Sequence, residues 1–248
     1  MIKHAMTKFG LIVLTAALAV GTAYAEEGEG LLASNSSVGN IASLQRGAQT
    51  FFNYCSGCHS LKYMRYSRIA EDLNLSEEMV TKNLIFTDAK IGEPAMATIK
   101  AKDAENWFGK APPDLSLEAR AKSPDWIYTY LKSFYVDPSR PVGWNNTLFP
   151  GASMPNVLWE LQGVQTAELA PAKPGEDAHI EKLVLSKPGK LSPQQYDETI
   201  RDLSSFLQYV GEPAAMKREA VGVWVVLFLA FFTFIAWLLK TEYWKDVH

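Results

Sequence analysis

The sequence predicts a mainly α-helical exported domain fastened to a membrane by one C-terminal helix. Three observations predict it: a leader at the start, an unbroken apolar run at the end, and helix-starting punctuation between them. The leader is "MIKHAMTKFGLIVLTAALAVGTAYAEEGEG". Lys3 and Lys8 give a basic start, residues 9–20 are mostly apolar, and Ala23-Tyr24-Ala25 is a small-x-small cleavage site before Glu26. That pattern reads as a secretory signal peptide over 1–25 rather than a membrane span. The apolar run is "AVGVWVVLFLAFFTFIAWLL" at 220–239, without a charge. At about 1.5 Å per residue it crosses a hydrocarbon core. Lys217 and Arg218 precede it, Lys240 and Lys245 follow it, and Trp224, Trp237, Tyr243 and Trp244 sit where interfacial anchors sit. The flanking charges do not set the orientation, but the leader does. Residues 26–219 are expected outside the cytoplasm and 240–248 as a cytoplasmic tail.

Residues 26–219 suffice for one domain with a real core. Their start, 26–39, has the composition of a flexible lead-in. Next, "IASLQRGAQTFFN" at 41–53 places Leu44, Ala48 and Phe51 or Phe52 on one helical face, which Cys55 continues. "SEEMVTKNLIF" reads as a short amphipathic helix with Met79 in a core role. Ser123-Pro124 is an N-cap followed by a first-turn proline, with Ile127, Tyr130, Leu131 and Phe134 on one face. Ser192-Pro193-Gln194-Gln195 is a fuller start signal, a capping box. Tyr196, Ile200, Leu203, Phe206 or Leu207 and Val210 then form a stripe, and Gly211 is expected to end it. Residues 136–150 and most of 167–191 read as loops, with "HIEKLVL" at 179–185 the one modest strand candidate. There is no internal repeat. The formal net charge of −3, with no basic cluster, argues against a nucleic-acid partner and suits a basic protein partner.

Both cysteines of the chain lie in "YCSGCHSLKYMRY", followed at once by His59. In an oxidising compartment Cys55 and Cys58 can form a disulfide or a thioredoxin-like pair. Zinc is a poor alternative, because the chain has only two thiols and His59 would need a distant fourth ligand. The reading that uses every residue is c-type haem attachment, C-x-x-C-H. Two thiols spaced this way reach both vinyl groups of one porphyrin, and the next imidazole falls beneath the iron as a ligand.

Such an iron needs either an open sixth site or a second protein ligand. His248 lies beyond the apolar run, Met216 stands at its edge, and Met64 is too near the attachment turn. Met96, in a loop of small residues, stays open as a candidate, whereas His179 reads as a surface histidine. Met154 lies in "LFPGASMPNVLWEL", where Gly151 and Ser153 permit close approach and Pro155 stiffens the chain after the thioether. Such a stiff loop is a reasonable way to keep a weakly held thioether on iron, so Met154 stands as a candidate beside Met96.

The chain resembles the cytochrome c1 family, the haem subunits of cytochrome bc1 complexes, in their short proteobacterial form. The resemblance rests on "CSGCHSLKYMRY", "APPDLS" at 111–116, "LFPGASMPNVLWEL" at 148–161 and "LSSFLQYVGEPAAMKREAVG" at 203–222, in that order before a single span. It implies a class I c-type cytochrome-like domain with loop insertions, in which the helix after Ser192 packs on the 41–53 helix. It implies thioethers at Cys55 and Cys58, His59 and Met154 as axial ligands, and Pro112, Pro113 and Leu115 lining one covalently attached haem c. Arg120 occupies the place of an arginine that pairs with a haem propionate, and Tyr63 and Arg65 approach the haem. The segments 60–110 and 162–192 are short and carry no further cysteine pair, so accessory loops of larger members are expected to be missing.

The implied function is electron transfer in a bacterial inner membrane, with the haem domain in the periplasm. Electrons are expected from a Rieske iron–sulfur protein and pass to a c-type cytochrome, beside cytochrome b and membrane lipid. A stand-alone membrane-anchored shuttle is the alternative. An enzyme with an open iron site and a disulfide-bonded structural protein are the more distant rivals, and no acid–base pair or nucleophile calls for a catalytic role.

Overall fold

The computed structural model describes residues 30–170 and 180–246. The expected leader and its cleavage site lie outside these residues, as do His179 and His248. The body is built on a crossing of two helices, α1 (Ile41–Tyr54) and the late helix Pro193–Gly211. Asn40 caps α1 by accepting the Ser43 N–H at 3.2 Å. The face so aligned buries Leu44, Ala48, Phe51 and Phe52. The late helix starts on the expected reciprocal cap, Ser192 with Gln195, and buries Tyr196, Ile200, Leu203, Phe206, Leu207 and Val210. The helices meet at Gly47, where a Cβ would stand 2.1 Å from the Asp202 carbonyl oxygen and 2.7 Å from Phe206 Cβ. Beside that crossing Asp202 accepts from Ser43 Oγ at 2.5 Å and from Arg46 Nε at 2.6 Å, so the one carboxylate buried there is fully engaged.

Between these helices the chain forms β1 (Leu61–Arg65), α2 (Tyr66–Asp72), α3 (Glu77–Asn83), β2 (Pro94–Ala95), α4 (Ala101–Phe108), α5 (Glu118–Lys122) and α6 (Pro124–Lys132). It continues through β3 (Phe134–Val136), β4 (Trp144–Asn146), α7 (Trp159–Gln162), β5 (Gly163–Leu169) and β6 (Ile180–Pro188) to the late helix, α8. Ser123 caps α6 at the Trp126 N–H as expected, and Ile127, Tyr128 and Leu131 face inward. Tyr196 of α8 ties the two helices by donating its hydroxyl to the Leu131 carbonyl at 3.0 Å.

Four expectations are corrected. Residues 32–38 are not a loose lead-in but a strap laid over α6 and α8. The Leu32 N–H donates to Thr129 Oγ1 (2.9 Å), Ser34 Oγ to Asp125 (2.5 Å), Ser36 Oγ to Gln208 (2.9 Å), and Val38 is buried. A polar composition signals flexibility only when its donors and acceptors lack partners. Met79 is 51% exposed, because the Ser76 cap turns the neighbouring Val80 inward. The stretches read as loops contain two antiparallel hairpins, β3 with β4 and β5 with β6. The strand candidate at 179–185 falls largely within β6, while its partner β5 was not foreseen. Much of that hairpin is solvated, so its sequence lacks a clear inside–outside alternation. Finally, Gly211 is the last residue of α8, but Glu212 is its C-cap and Gly211 has no positive φ; Pro213, which disfavours helix in the residue before it, supplies the stop.

After Glu212–Ala214 the chain enters α9 (Ala215–Tyr243), whose residues Val221–Tyr243 have mean hydropathy 2.5 and are not buried against the body. This single C-terminal helix is long and apolar enough to cross a membrane, with the large domain before it and a short tail after it.

Candidate functional site

The Cys-x-x-Cys-His stretch is the turn that ends α1. The Cys55 N–H still donates to Phe51 O at 2.8 Å, and the Cys55 carbonyl then accepts from both Cys58 N (3.0 Å) and His59 N (2.8 Å). The fold therefore presents two thiols and an imidazole from one tight loop fixed to the core. Cys55 is buried, Cys58 is half-buried, and both are free thiols. Burial pushes the Cys55 thiol up to about 12, so it is neutral at physiological pH.

His59 is buried, and its Nδ1 lies 2.8 Å from the Pro113 carbonyl oxygen. A carbonyl can only accept, so Nδ1 carries the hydrogen and the neutral ring has its lone pair on Nε2. Removal from water lowers the His59 pKa, outweighing the Pro113 hydrogen bond and the more distant Glu118 and Asp114 carboxylates, which favour the cation. A neutral imidazole with one nitrogen committed and the other bare is the state in which histidine ligates a metal.

The "APPDLS" segment is brought against this turn by a row of bonds. Leu115 N donates to Ser60 O (2.9 Å), Lys62 N to Asp114 Oδ2 (2.9 Å) and Tyr63 N to Ser116 Oγ (3.2 Å). A third segment closes on the same turn, with Ala97 N donating to Ser60 Oγ (2.8 Å) and Ile99 N to Gly57 O (3.0 Å). Sequence reasoning missed Ser60, Asp114 and Ser116. Their signal, small polar residues inside the two motifs, is too common to be read without the pairing itself.

Of the predicted site residues, the structure brings Cys55, Cys58 and His59 together with Pro113 and the Leu115 backbone. Leu115 is half-buried against the core, and Pro112 is half-buried ahead of it. Met154 is half-buried and also packs on the apolar core, in the turn before α7. Met64 is committed elsewhere, fully buried with Tyr209 Oη 3.9 Å from its sulfur, whereas Met96 is 53% exposed. Arg120 is exposed on α5, and its nearest charge is Glu212 at 3.8 Å. Tyr63 is also exposed, and Arg65 donates to Gly92 O.

Free paired thiols, a bare imidazole nitrogen and a proline-rich wall that offers no competing backbone N–H over two residues fit a haem of the c type. The two closely spaced cysteines are consistent with a haem c attachment motif. A helical body with this turn, followed by one membrane-length helix, defines the class: a membrane-anchored c-type domain.

The comparisons refine the class. The Cytochrome C1 family model matches residues 36–179 and 181–247. Cytochrome c1 of Allochromatium vinosum is 50% identical over 247 residues, covering 99% of both chains. The ammonia monooxygenase gamma subunit of Nitrosomonas europaea is 44% identical over 206 residues, 83% of this chain and 84% of that one. Cytochrome c1 of Rhodospirillum rubrum is 28% identical over 248 residues, 82% of this chain and 81% of its own. The chain belongs to the cytochrome c1 family, whose members carry electrons within bc1 complexes.

Proposed function

We propose that this chain holds one haem c: Cys55 and Cys58 would carry its thioether attachments, and His59 Nε2 and Met154 Sδ would ligate its iron. Pro112, Pro113 and Leu115 wall the haem, and Arg120 faces a propionate. When bound, the haem supplies a one-electron Fe(III)/Fe(II) couple. The polypeptide does the rest. The Pro113 carbonyl orients His59 and makes it a better donor, Met154 would offer the metal a soft sulfur that favours its reduced form, and half-buried Pro112 and Leu115 would limit water. These features raise a potential and keep small ligands out, which is what an electron carrier needs.

Family membership supports the proposed circuit: a Rieske iron–sulfur protein donates, a c-type cytochrome accepts, and cytochrome b, where quinol oxidation belongs, lies alongside. Residues 1–25 are a cleaved leader, 26–219 stand in the periplasm, 220–239 cross the inner membrane among its lipids, and 240–248 are cytoplasmic. The observation that carries the reading is the His59–Pro113 hydrogen bond, which commits Nδ1 and leaves the lone pair of the buried, neutral ring on the outer nitrogen.

The test is optical spectroscopy of the membrane-extracted protein and of Met154→Leu in both oxidation states, with haem staining after denaturing electrophoresis. The native protein is expected to stain and to show a low-spin spectrum with a thioether-to-iron charge-transfer band. Met154→Leu is expected to keep its stain, lose the band and fall in potential. Unchanged ligation in the variant would move the sixth ligand to another residue, and an unstained native protein would refute haem attachment altogether.

A further inference from the structure

The Met154 turn does not hold itself. Three residues before the methionine, Gly151 stands at φ +80°, a conformation that favours glycine. Both of its backbone polar groups are taken by side chains of the β3–β4 hairpin. Its N–H donates to Asn145 Oδ1 at 2.8 Å, and its carbonyl accepts from Arg140 Nη2 at 2.9 Å. Asn145 is itself fixed, because its amide nitrogen donates to Asp137 Oδ2 at 2.9 Å. The neighbouring Asn146 is fully buried, accepts from Leu148 N (2.9 Å) and Phe149 N (3.0 Å), and donates to the Tyr130 carbonyl (2.8 Å). Downstream of the methionine, Asn156 is 3% exposed and donates to Gln162 Oε1 at 3.0 Å. Residues 152–155 are therefore slung between two anchors. The grip on Gly151 is kept although Arg140 Nε is buried without a hydrogen-bond partner among the described residues, an arrangement that carries a desolvation cost.

We propose that Arg140 and Asn145 are positioning residues that hold Gly151 and thereby set the reach of Met154 toward the iron. The inference rests on the reading of Met154 as sixth ligand. A thioether binds weakly and cannot order its own loop, so the loop must be placed before the bond forms. The two hairpin side chains grip opposite sides of one peptide residue, which fixes both the position and the tilt of the turn. Removing either frees Gly151 to rotate, and the sulfur then spends more time off the metal.

The experiment compares the full-length, haem-loaded, membrane-extracted protein with Arg140→Gln, Arg140→Lys, Asn145→Ala and Met154→Leu. Its readouts are the charge-transfer band, the midpoint potential and the fraction of reduced haem that binds carbon monoxide. Arg140→Gln and Asn145→Ala are expected to keep their covalent haem but raise the carbon monoxide-binding fraction about tenfold, the shift that loss of one hydrogen bond produces. Their potential is expected to fall. The shorter glutamine amide does not reach the Gly151 carbonyl, whereas Arg140→Lys, which keeps both a donor and the side-chain length, should recover most of the native behaviour. If Met154→Leu loses the band while Arg140→Gln and Asn145→Ala remain native in all three readouts, the clamp is wrong and the ligand reading stands. If Met154→Leu itself keeps the native band, the ligand reading fails and the clamp falls with it. Should the hairpin variants not fold, Gly151→Ala, whose added carbon meets only Arg140 at 3.5 Å or more, tests the same tilt. A native spectrum, potential and carbon monoxide fraction in that variant would overturn the proposal.

Discussion

At His59 burial keeps the ring neutral while the Pro113 hydrogen bond selects its tautomer, and burial also keeps phenols elsewhere in the domain neutral, by raising their pKa rather than lowering it. Tyr209 is fully buried and donates its hydroxyl to Asp72 Oδ2 at 2.9 Å. Burial first, and then the Asp72 carboxylate, push its pKa well above the ordinary phenol value. Burial, chiefly, does the same to Tyr196 and raises Tyr130 to about 12. A raised folded-state pKa means that the folded protein keeps a proton the unfolded chain releases. The stabilisation is therefore complete below about pH 10, the unfolded phenol value, and is lost as pH climbs toward the folded-state value. Denaturant midpoints measured from neutral to strongly alkaline pH should decline beyond about pH 10, and Tyr196→Phe and Tyr209→Phe should flatten the decline. An equal decline in both variants would assign it to other groups. At this scale the sequence was most informative where chemistry needs particular residue types: Cys55, Cys58 and His59 stood out at once, and Met154 as one candidate beside Met96. Asn145 and Arg140 did not, because an asparagine and an arginine in a polar hairpin look the same whether they grip a ligand loop or face water.

Among the elements, the α1–α8 crossing is the tightest joint, and its tolerance depends on Gly47. Replacing it with alanine must push Asp202 and Phe206 aside, since backbone occupies the space the new carbon needs. Overpacking of this kind costs about 1–3 kcal/mol. Gly47→Ala should lower the unfolding free energy of the haem-loaded protein by that amount, read as a lower denaturation midpoint with an unchanged denaturant slope, and a neutral effect would show that the helices slide apart freely. Helices α6 and α8 were legible because each has both a cap and an apolar face, and α1 by its apolar face alone, signals that local chemistry writes into a few residues. Of the paired strands only β6 showed in the sequence, as the strand candidate at 179–185. β1–β2 is joined across an irregular register between Leu61 and Arg65, and its short strand β2 carries no period at all. The strap over α6 and α8 was unreadable for a related reason: its serines show their purpose only once Asp125, Gln208 and Ser205 are beside them.

For the molecule as a whole, the joint between body and anchor is governed by Glu212. Its carboxylate pairs with Arg218 in the first turns of α9 and lies 3.8 Å from Arg120 on α5. Helix α5, which follows the Pro112–Leu115 segment, and the base of the apolar helix thus share one acid. Glu212→Gln is expected to leave the unfolding midpoint of the body unchanged but to broaden the pulsed-EPR distance distribution between labels on α5 and on the start of α9. An unaltered width would show that backbone and Pro213 suffice to hold the joint. The overall plan, a helical head on one apolar stalk, was readable end to end because the membrane run and the family motifs are long-range patterns. The joint was not, since it depends on side chains far apart in the chain.

The shortness of that joint has a further consequence. Only Glu212–Ala214 separate α8 from α9, a stretch that spans about 10 Å at full extension. A head held so close to a bilayer is confined to a thin layer rather than a volume. Its meetings with membrane-bound neighbours are therefore governed by their number per unit area, and crowding of the membrane plane, more than protein concentration in the surrounding solution, sets how often they occur.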